Sequence, residues 1–143
     1  MALIEIEKLI VFTVPYLTPP STNHYKHPTW RHQRDGTPYL SFAVTKEAKA
    51  YRQAVRIFSM GRTVAPLTNS ERNKTKYAVQ VDVYLGHRQR LDADNAGKVA
   101  LDSLQWSGII HSDAYVTRCQ LNIHKDERDR PRTEFMVERL EPK

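Results

Sequence analysis

The sequence predicts a single α/β domain in which two helices pack on a mixed β-sheet. Its length of 143 residues suits one domain, which would bury about 70% of the surface of its unfolded chain. Four segments alternate apolar and polar residues as β-strands do, and two segments have apolar residues at helical spacing. Because the helical segments lie between strands in the sequence, we expect them to cover a sheet within one domain that spans residues 1–143.

The first half of the chain is predicted to contain one strand and one helix. Apolar residues alternate over residues 3–14, up to Pro15, which predicts a strand. Residues 45–60 have apolar side chains three and four positions apart, which predicts a helix. Thr45 is a suitable N-cap and Gly61 a suitable stop, so capping chemistry sets the expected bounds of this helix.

Between these two elements, residues 15–41 are predicted to form a long irregular loop that contacts DNA. The loop is rich in Pro, Thr and Asn, and aromatic residues are interleaved with basic ones. Loops of this length are usually functional or disordered, and aromatic and basic side chains together suit contact with DNA bases and phosphates. An exposed loop whose Tyr and Trp side chains pack on the domain has the same composition, so both interpretations stay open.

The second half of the chain is predicted to contain three strands and one helix. Residues 77–85 alternate clearly and predict a strand. Residues 95–106 have apolar residues at helical spacing, and Asp94 is placed to be the N-cap of this second helix. The last two strands are predicted over residues 114–124 and 133–140, which are close enough in sequence to form a hairpin.

Composition and charge limit the functional classes to which the protein can belong. The chain has 22 Lys and Arg against 16 Asp and Glu, a net charge of +6, and this balance favours polyanionic partners such as nucleic acid. No apolar run approaches the roughly 20 residues of a transmembrane helix. The N-terminus carries acidic residues where a signal peptide would be apolar, so we expect a cytoplasmic protein with no membrane partner.

Cys119, the one cysteine, excludes an internal disulfide and a multi-thiolate zinc site. We expect its side chain to be buried.

The strongest functional signal is the pair Asp92 and Asp94, which follows the basic residues Arg88 and Arg90. In an extended chain the two carboxylates project to the same side, and they repel each other unless a cation lies between them. Asp113, in the next connection, is a third candidate ligand. Oxygen ligands without His or Cys suit Mg²⁺ or Mn²⁺, and such an ion can activate water against a phosphodiester.

Lys98 lies one helical turn after Asp94, where its ammonium would neutralise charge that develops on phosphorus. Asp102 lies about 12 Å beyond Asp94 along the helix axis, so we expect it to orient Lys98 rather than to bind the metal, with Asn95 on the same polar side. The spacing also suits a helix cap with two ion pairs of Lys98, and the pattern alone leaves this alternative open. A calcium loop of the EF-hand type is excluded, because its twelfth position would be Ser103 instead of an acidic residue.

Three segments of the chain together resemble a known family. They are Asp92-x-Asp94-Asn95-x-x-Lys98-x-x-x-Asp102-x-Leu104 with Asp113 after a Gly-containing turn, Pro19-Pro20-Ser21-x-Asn23-x-Tyr25, and Ala50-Tyr51-Arg52. In these segments the chain resembles the RusA-type Holliday junction resolvases, endodeoxyribonucleases of bacteria and of their phages and prophages. The resemblance covers nearly the whole chain. Ser112 departs from the family, whose members often have an acidic residue there.

The resemblance implies a metal-dependent, structure-specific endonuclease that resolves Holliday junctions by paired symmetric nicks in DNA recombination and repair. It implies that Asp92, Asp94 and Asp113 bind the metal. It also implies a catalytic Lys98 and a homodimer that needs no small-molecule cofactor besides the metal. The residues expected to contact DNA are Asn23, Tyr25, Lys26, Arg31, Arg88 and Arg90. Two alternatives are a non-catalytic DNA-binding protein with the same fold and a nuclease for other branched DNA, such as flaps and forks.

Overall fold

The helices cover one face of a four-stranded mixed sheet, which confirms the predicted α/β fold. The computed structural model describes residues 7–20, 26–91, 93–126 and 128–141. The strands are β1 (Leu9–Pro15), β2 (Lys26–His32), β3 (Pro38–Val44), β4 (Lys76–Leu85), β5 (Val116–Lys125) and β6 (Arg132–Leu140). The helices are α1 (Lys46–Phe58), the short α2 (Asn69–Arg72) and α3 (Ala93–Trp106), and a 3₁₀ turn covers Asp113–Tyr115. Among these helices, none is long and apolar enough to cross a membrane.

The main sheet has the strand order β1-β6-β4-β5. β6 pairs in the antiparallel direction with β1 on one side and with β4 on the other. β4 and β5 are parallel, because α3 carries the chain back along the sheet between them, as a βαβ crossover requires. This connection places α3, which carries the predicted catalytic residues Asp94 and Lys98, against β5.

The hydrophobic core lies between the sheet and the helices α1 and α3. Every second residue of β4, from Tyr77 to Leu85, is buried. Phe12 of β1 and Phe135 of β6 stack at 4.9 Å between ring centroids. The helices contribute buried apolar side chains at helical spacing: Ala48, Tyr51 and Val55 from α1, and Ala96, Val99, Ala100 and Leu104 from α3. Each large side chain buried in this way contributes about 1.5–3 kcal/mol. The inward face predicted for α3 is confirmed, and that of α1 is confirmed as far as Val55, whereas Phe58, the next apolar residue of the series, is 41% exposed.

The capping of α1 follows the sequence prediction closely. The Thr45 side chain accepts a hydrogen bond from the Ala48 backbone N–H at 3.3 Å, as an N-cap does. The helix ends at Phe58, and Gly61 adopts a positive φ of 69° just beyond it. A positive φ costs glycine little and other residues more, so Gly61 is well suited to the turn that follows the helix.

A hairpin occupies much of the segment that was predicted to be irregular. β2 and β3 pair with each other in a separate two-stranded sheet, in which Trp30 lies opposite Leu40. The prediction of an irregular loop over residues 15–41 was therefore wrong for these strands. The missed signal is Asp35-Gly36 in the connecting turn, because Asp-Gly between two short runs favours a hairpin.

The hairpin expected between the last two strands is not formed, because β4 lies between β5 and β6. The connection over residues 126–131 crosses the end of β4, where the Asp126 backbone N–H donates to the Leu85 carbonyl at 3.0 Å. Extended residues span about 3.3 Å each and strands lie about 4.8 Å apart. Six residues are therefore long enough to pass one intervening strand, and a short connection does not imply direct pairing.

Two side-chain predictions were also wrong. Asp94 is not the N-cap of α3, because the helix begins at Ala93 and includes Asp94 in its first turn. Cys119 is exposed rather than buried, since β5 is an edge strand and its side chains are only partly covered.

Candidate active site

One side of α3 carries the acidic and basic residues that were predicted to act together. Asp94 lies in the first turn and Lys98 one turn later, and both side chains are exposed. Asp102, a further turn along, is partly buried. The first turn of a helix has unpaired backbone N–H groups and a positive partial charge, which favour a carboxylate at this end. The helix thus brings Asp94, Lys98 and Asp102 to one side, as their spacing predicted.

Several predicted site residues lie beyond what the structure describes. Asp92, Asn23 and Tyr25 lie outside the described residues, and so do the side chains of Asn95 and Lys26. The backbone of Asn95 is in the first turn of α3, and that of Lys26 begins β2. The roles assigned to these five residues stay predictions.

A tied loop over residues 86–91 leads into α3 and carries Arg88 and Arg90. The Gly86 N–H donates to Gln89 Oε1 at 2.8 Å. The Lys125 ammonium, at the end of β5, donates to the carbonyls of Gly86 and Gln89. Arg88 and Arg90 are exposed on this loop, so the structure presents both guanidinium groups to solvent near the start of α3.

Gly86 is constrained by a close neighbour. A Cβ at this position would lie 2.5 Å from Oδ1 of Asp129, a carboxylate that also accepts from the His87 N–H at 2.8 Å. A Cβ at position 86 would require the Asp129 carboxylate to move from its present place. The close approach holds the basic loop against the end of the sheet.

Asp113 occupies a capped 3₁₀ turn and is exposed. Its backbone N–H donates to Oε1 of Gln105 at 2.9 Å. Ser112, the residue that departs from the family pattern, caps the turn by accepting from the Ala114 N–H at 3.2 Å. The turn that presents the Asp113 carboxylate is therefore fixed to the last turn of α3 by Gln105.

The two described carboxylates are attached near opposite ends of α3. Positions 94 and 105 differ by eleven residues, which corresponds to about 16 Å of helix at 1.5 Å per residue. Within the described residues, no group of three or more His, Cys, Asp or Glu could hold a metal ion. Because Asp92 is not among these residues, the predicted ligand set of Asp92, Asp94 and Asp113 stays a prediction. Its oxygen donors have the chemistry that Mg²⁺ prefers.

An aromatic cluster supports the Asp113 turn from the inside. The Tyr77 hydroxyl lies 2.6 Å from Nδ1 of His111, and the His111 ring packs on Tyr115 at 4.6 Å between centroids. Burial raises the pKa of Tyr77, so the hydroxyl stays protonated and donates to His111. Burial and the nearby Arg72 lower the pKa of His111, which keeps the imidazole neutral as an acceptor. Sequence reasoning missed this cluster, although Tyr77 lies on the inward side of a predicted strand.

The β2–β3 hairpin presents aromatic and basic side chains to solvent. Trp30 and Tyr39 are 68% and 41% exposed, and Arg31 is exposed as well. The hairpin turn is ordered by hydrogen bonds that include the Thr37 N–H to Oδ1 of Asp35 at 2.9 Å. Hydrogen bonds from Thr37 lower the pKa of Asp35. The arrangement offers a stacking surface and positive charge on one projecting element.

Comparison with known proteins places the chain in a family. The family model described as endodeoxyribonuclease RusA matches residues 18–138, which include β2 to β5 and most of β6. No match was found among the curated proteins.

Proposed function

The chain belongs to the RusA family of endodeoxyribonucleases, which resolve Holliday junctions, and from this premise we propose that it is a Mg²⁺-dependent enzyme that introduces paired symmetric nicks. The observation that carries the proposal is the side of α3 that holds Asp94 and Lys98, both exposed, at the end of a loop with two exposed arginines. A protein that only binds DNA has no need for carboxylates beside the phosphates. Four-way DNA is the proposed substrate, because the family resolves Holliday junctions.

In this proposal Asp92, Asp94 and Asp113 would be the carboxylates that hold Mg²⁺, or Mn²⁺ in its place; because Asp94 and the Asp113 turn are attached about 16 Å apart along α3, these two would not bind the same ion from one chain. When bound, the ion would supply Lewis acidity that activates a water molecule and offsets negative charge on the phosphoryl oxygens. Lys98, one turn from Asp94 on an exposed helix face, donates to a phosphate oxygen and neutralises charge as the phosphodiester is cleaved. Asp102 and Asn95 orient the Lys98 and Asp94 side chains.

The DNA grip in this proposal has two parts. Arg88 and Arg90 lie on the tied loop next to α3 and hold the phosphates of the cleaved strand. The hairpin provides Trp30 for stacking on bases and Arg31 for phosphate contact. Lys26, Asn23 and Tyr25 extend this surface, as the family motif implies. Phosphate contacts release counterions, so DNA binding should weaken steeply as salt rises.

The proposed enzyme is a homodimer. A four-way junction is close to two-fold symmetric, and a C2 dimer would present one active site to each of two opposed strands. Paired nicks of the same symmetry follow from this arrangement. The dimer belongs to a phage, prophage or bacterial recombination system in this proposal, in line with the family.

The test uses Asp94→Asn, with Glu138→Gln as a control at an exposed acid of β6 on the sheet. We expect Asp94→Asn to bind a labelled four-way junction but to lose at least a hundredfold in cleavage rate, about 2.7 kcal/mol. Glu138→Gln should cleave like the unsubstituted protein. If Asp94→Asn cuts at the unsubstituted rate, the proposed active site is wrong.

The alternative of another branched substrate is tested in the same assay. Four-way, fork, flap and linear duplex DNA are offered with Mg²⁺, and the products are mapped on both strands. Symmetric nicks confined to the four-way junction support a resolvase. Equal cleavage of forks or flaps would instead indicate a general nuclease for branched DNA, and binding without cleavage of any substrate would indicate a DNA-binding protein.

A further inference from the structure

One side of α1 carries a row of three basic residues. Lys49, Arg52 and Arg56 follow one another at three- and four-residue spacing, which places them on the same side of a helix. Lys49 and Arg56 are exposed, and Arg52 is partly buried. Glu47, the acidic residue of this helix, precedes Lys49 by two positions and therefore projects to a different side. The three residues form what we call the basic stripe.

The basic stripe is joined to α3 through Trp106. This residue, the last of α3, is 38% exposed. The Cζ atoms of Arg52 and Arg56 lie 4.7 and 5.3 Å from the centroid of its ring, within the roughly 6 Å over which a cation is attracted to an aromatic ring. The Thr63 hydroxyl donates to the Gly108 carbonyl at 2.7 Å, which fixes the ends of the two helices to each other. The ring therefore holds two guanidinium groups side by side.

No member of the basic stripe forms an ion pair with a carboxylate in the described part of the chain. The ion pairs found there involve other groups, such as Lys8 with Glu141 and Arg62 with Glu7. Nε of Arg52 is buried and has no hydrogen-bond partner among the described residues. Two like charges beside one ring repel each other, and an anion next to them offsets this repulsion. The stripe therefore favours an anionic ligand, and guanidinium groups match the oxygens of phosphate in particular.

A row of side chains on α3 connects the basic stripe with the candidate active site. Lys98, Asp102 and Trp106 follow one another at four-residue spacing and so lie on one side of α3. The row is about 12 Å long at 1.5 Å per residue, which corresponds to about three or four nucleotides of duplex at 3.4 Å each. Asp102, the acidic residue of the row, is partly buried, and Lys98 and the stripe outnumber it. A path of net positive charge thus leads from Lys98 along α3 to α1.

We propose that the basic stripe binds the phosphate backbone of the duplex arm that leads away from the cleaved strand, about three or four nucleotides from the scissile phosphate. The inference rests on the proposed function and adds a third DNA contact to the hairpin and to the loop of Arg88 and Arg90. That loop lies before the first turn of α3 and the stripe lies beside its last turn, so the two contacts hold phosphates on both sides of Lys98. Trp106 is a positioning residue in this arrangement, because it holds the two guanidinium groups in place. DNA suits the stripe better than an acidic protein, because the row on α3 links it to the residues that act on a phosphodiester.

The first test measures the junction affinity of Lys49→Gln and Arg56→Gln. Lys76→Gln is the matched control, because Lys76 is exposed and precedes the inward-facing Tyr77 on β4, so it projects to the sheet face opposite the helices. Each variant is titrated with a labelled four-way junction in the absence of Mg²⁺ at several salt concentrations. Because each phosphate contact changes log K by about 0.9 per tenfold change in salt, the loss of one contact should weaken binding at 0.1 M salt by about eightfold and lower the slope by about 0.9. Lys76→Gln should change neither quantity.

A structural role of Arg56 predicts a different result. Arg56 lies in the last turn of α1, where a cation stabilises the helix through its dipole, so Arg56→Gln can lower the urea midpoint. Such a loss of stability leaves the salt slope of the folded protein unchanged. Arg56→Lys keeps the charge and should retain the slope. If Arg56→Gln changes affinity and slope no more than Lys76→Gln does, the proposal is refuted.

Trp106→Leu tests the positioning role. The substitution removes the ring and no charge, so we expect weaker junction binding with an unchanged salt slope, since the guanidinium groups must now be ordered when DNA binds. Affinity equal to that of the unsubstituted protein would show that the ring does not position the stripe.

The last experiment locates the contact on the DNA. Uncharged methylphosphonate linkages replace the phosphates of one arm one at a time. A linkage about three or four nucleotides from the cleavage site should weaken binding of the unsubstituted protein and have little further effect on Arg56→Gln, as expected for two partners of one contact. The same pattern of sensitive positions in both proteins would overturn the proposal. A protein that cuts junctions without this contact refutes only the stripe, and a protein that binds through the stripe but cuts no branched DNA refutes only the proposed activity.

Discussion

Tyr77→Phe tests how the fold holds the turn that carries Asp113. The substitution removes one hydroxyl, which lies 2.6 Å from Nδ1 of His111, and keeps the ring at a fully buried site. His111 would lose its donor, and its Nε2 already has no hydrogen-bond partner among the described residues. An unsatisfied buried polar group costs about 1–3 kcal/mol. Because the His111 residue as a whole is only partly buried, we expect the lower part of this range, about 1–2 kcal/mol.

Urea unfolding followed by circular dichroism measures this cost. Tyr39→Phe is the matched control, because it removes the same hydroxyl from an exposed residue of the hairpin, and surface changes usually stay within about 0.5 kcal/mol. The double variant with His111→Phe isolates the contact: Tyr77→Phe should cost at least 0.5 kcal/mol less when His111 is absent, as expected for coupled neighbours. If Tyr77→Phe destabilises no more than Tyr39→Phe, or costs the same in both backgrounds, the hydrogen bond does not stabilise the turn.

Three further changes probe the same regions. Burial and Arg72 lower the pKa of His111 below its usual 6.5, so the unfolded chain binds this proton more readily than the folded chain does. The contribution of neutral His111 to the free energy of unfolding is therefore fully present above about pH 6.5 and falls as the pH drops towards the folded pKa. His111→Phe should flatten this part of a plot of urea midpoint against pH. Gln105→Leu removes the acceptor of the Asp113 N–H; we expect junction cleavage to fall several-fold with unchanged junction affinity, and equal losses in both would argue against a positioning role. Trp30→Ala removes an exposed stacking ring and should weaken junction binding by about 1–3 kcal/mol in a gel-shift titration, while unchanged affinity would remove the hairpin from the DNA surface.

The parts of the fold that sequence could predict are those set by local periodicity and capping. Alternation identified β4, and three- and four-residue spacing identified the buried faces of α1 and α3. The Thr45 cap was readable because a single side chain and a neighbouring N–H determine it. In each case the prediction depends only on residues that are close neighbours in the sequence.

The parts that sequence did not predict depend on partners far away in the chain. The pairing of β5 with β4 instead of β6 joins segments about 40 positions apart in the chain, and alternation in β5 is the same for either neighbour. The exposure of Cys119 has the same origin, because an edge strand and a central strand share one apolar pattern. The β2–β3 hairpin was missed for a different reason, since proline and histidine in the strands obscured the Asp-Gly turn between them.

The candidate site shows the same division between local and distant information. The relation of Asp94 to Lys98 was predictable because one helix fixes it through its 3.6-residue repeat. The position of Asp113 was not, because it depends on where α3 ends and on the Gln105 side chain that accepts from the Asp113 N–H. α3 therefore acts as a rigid spacer, with Asp94 at one end and the anchored Asp113 turn at the other. The length of this helix sets the separation of the two carboxylates, and inserting one residue into α3 would rotate Asp94 and Lys98 by about 100° relative to Gln105. Such an insertion should abolish cleavage. It should leave the β2–β3 hairpin unchanged, because the hairpin precedes the N-terminal end of α1 and is not attached to α3.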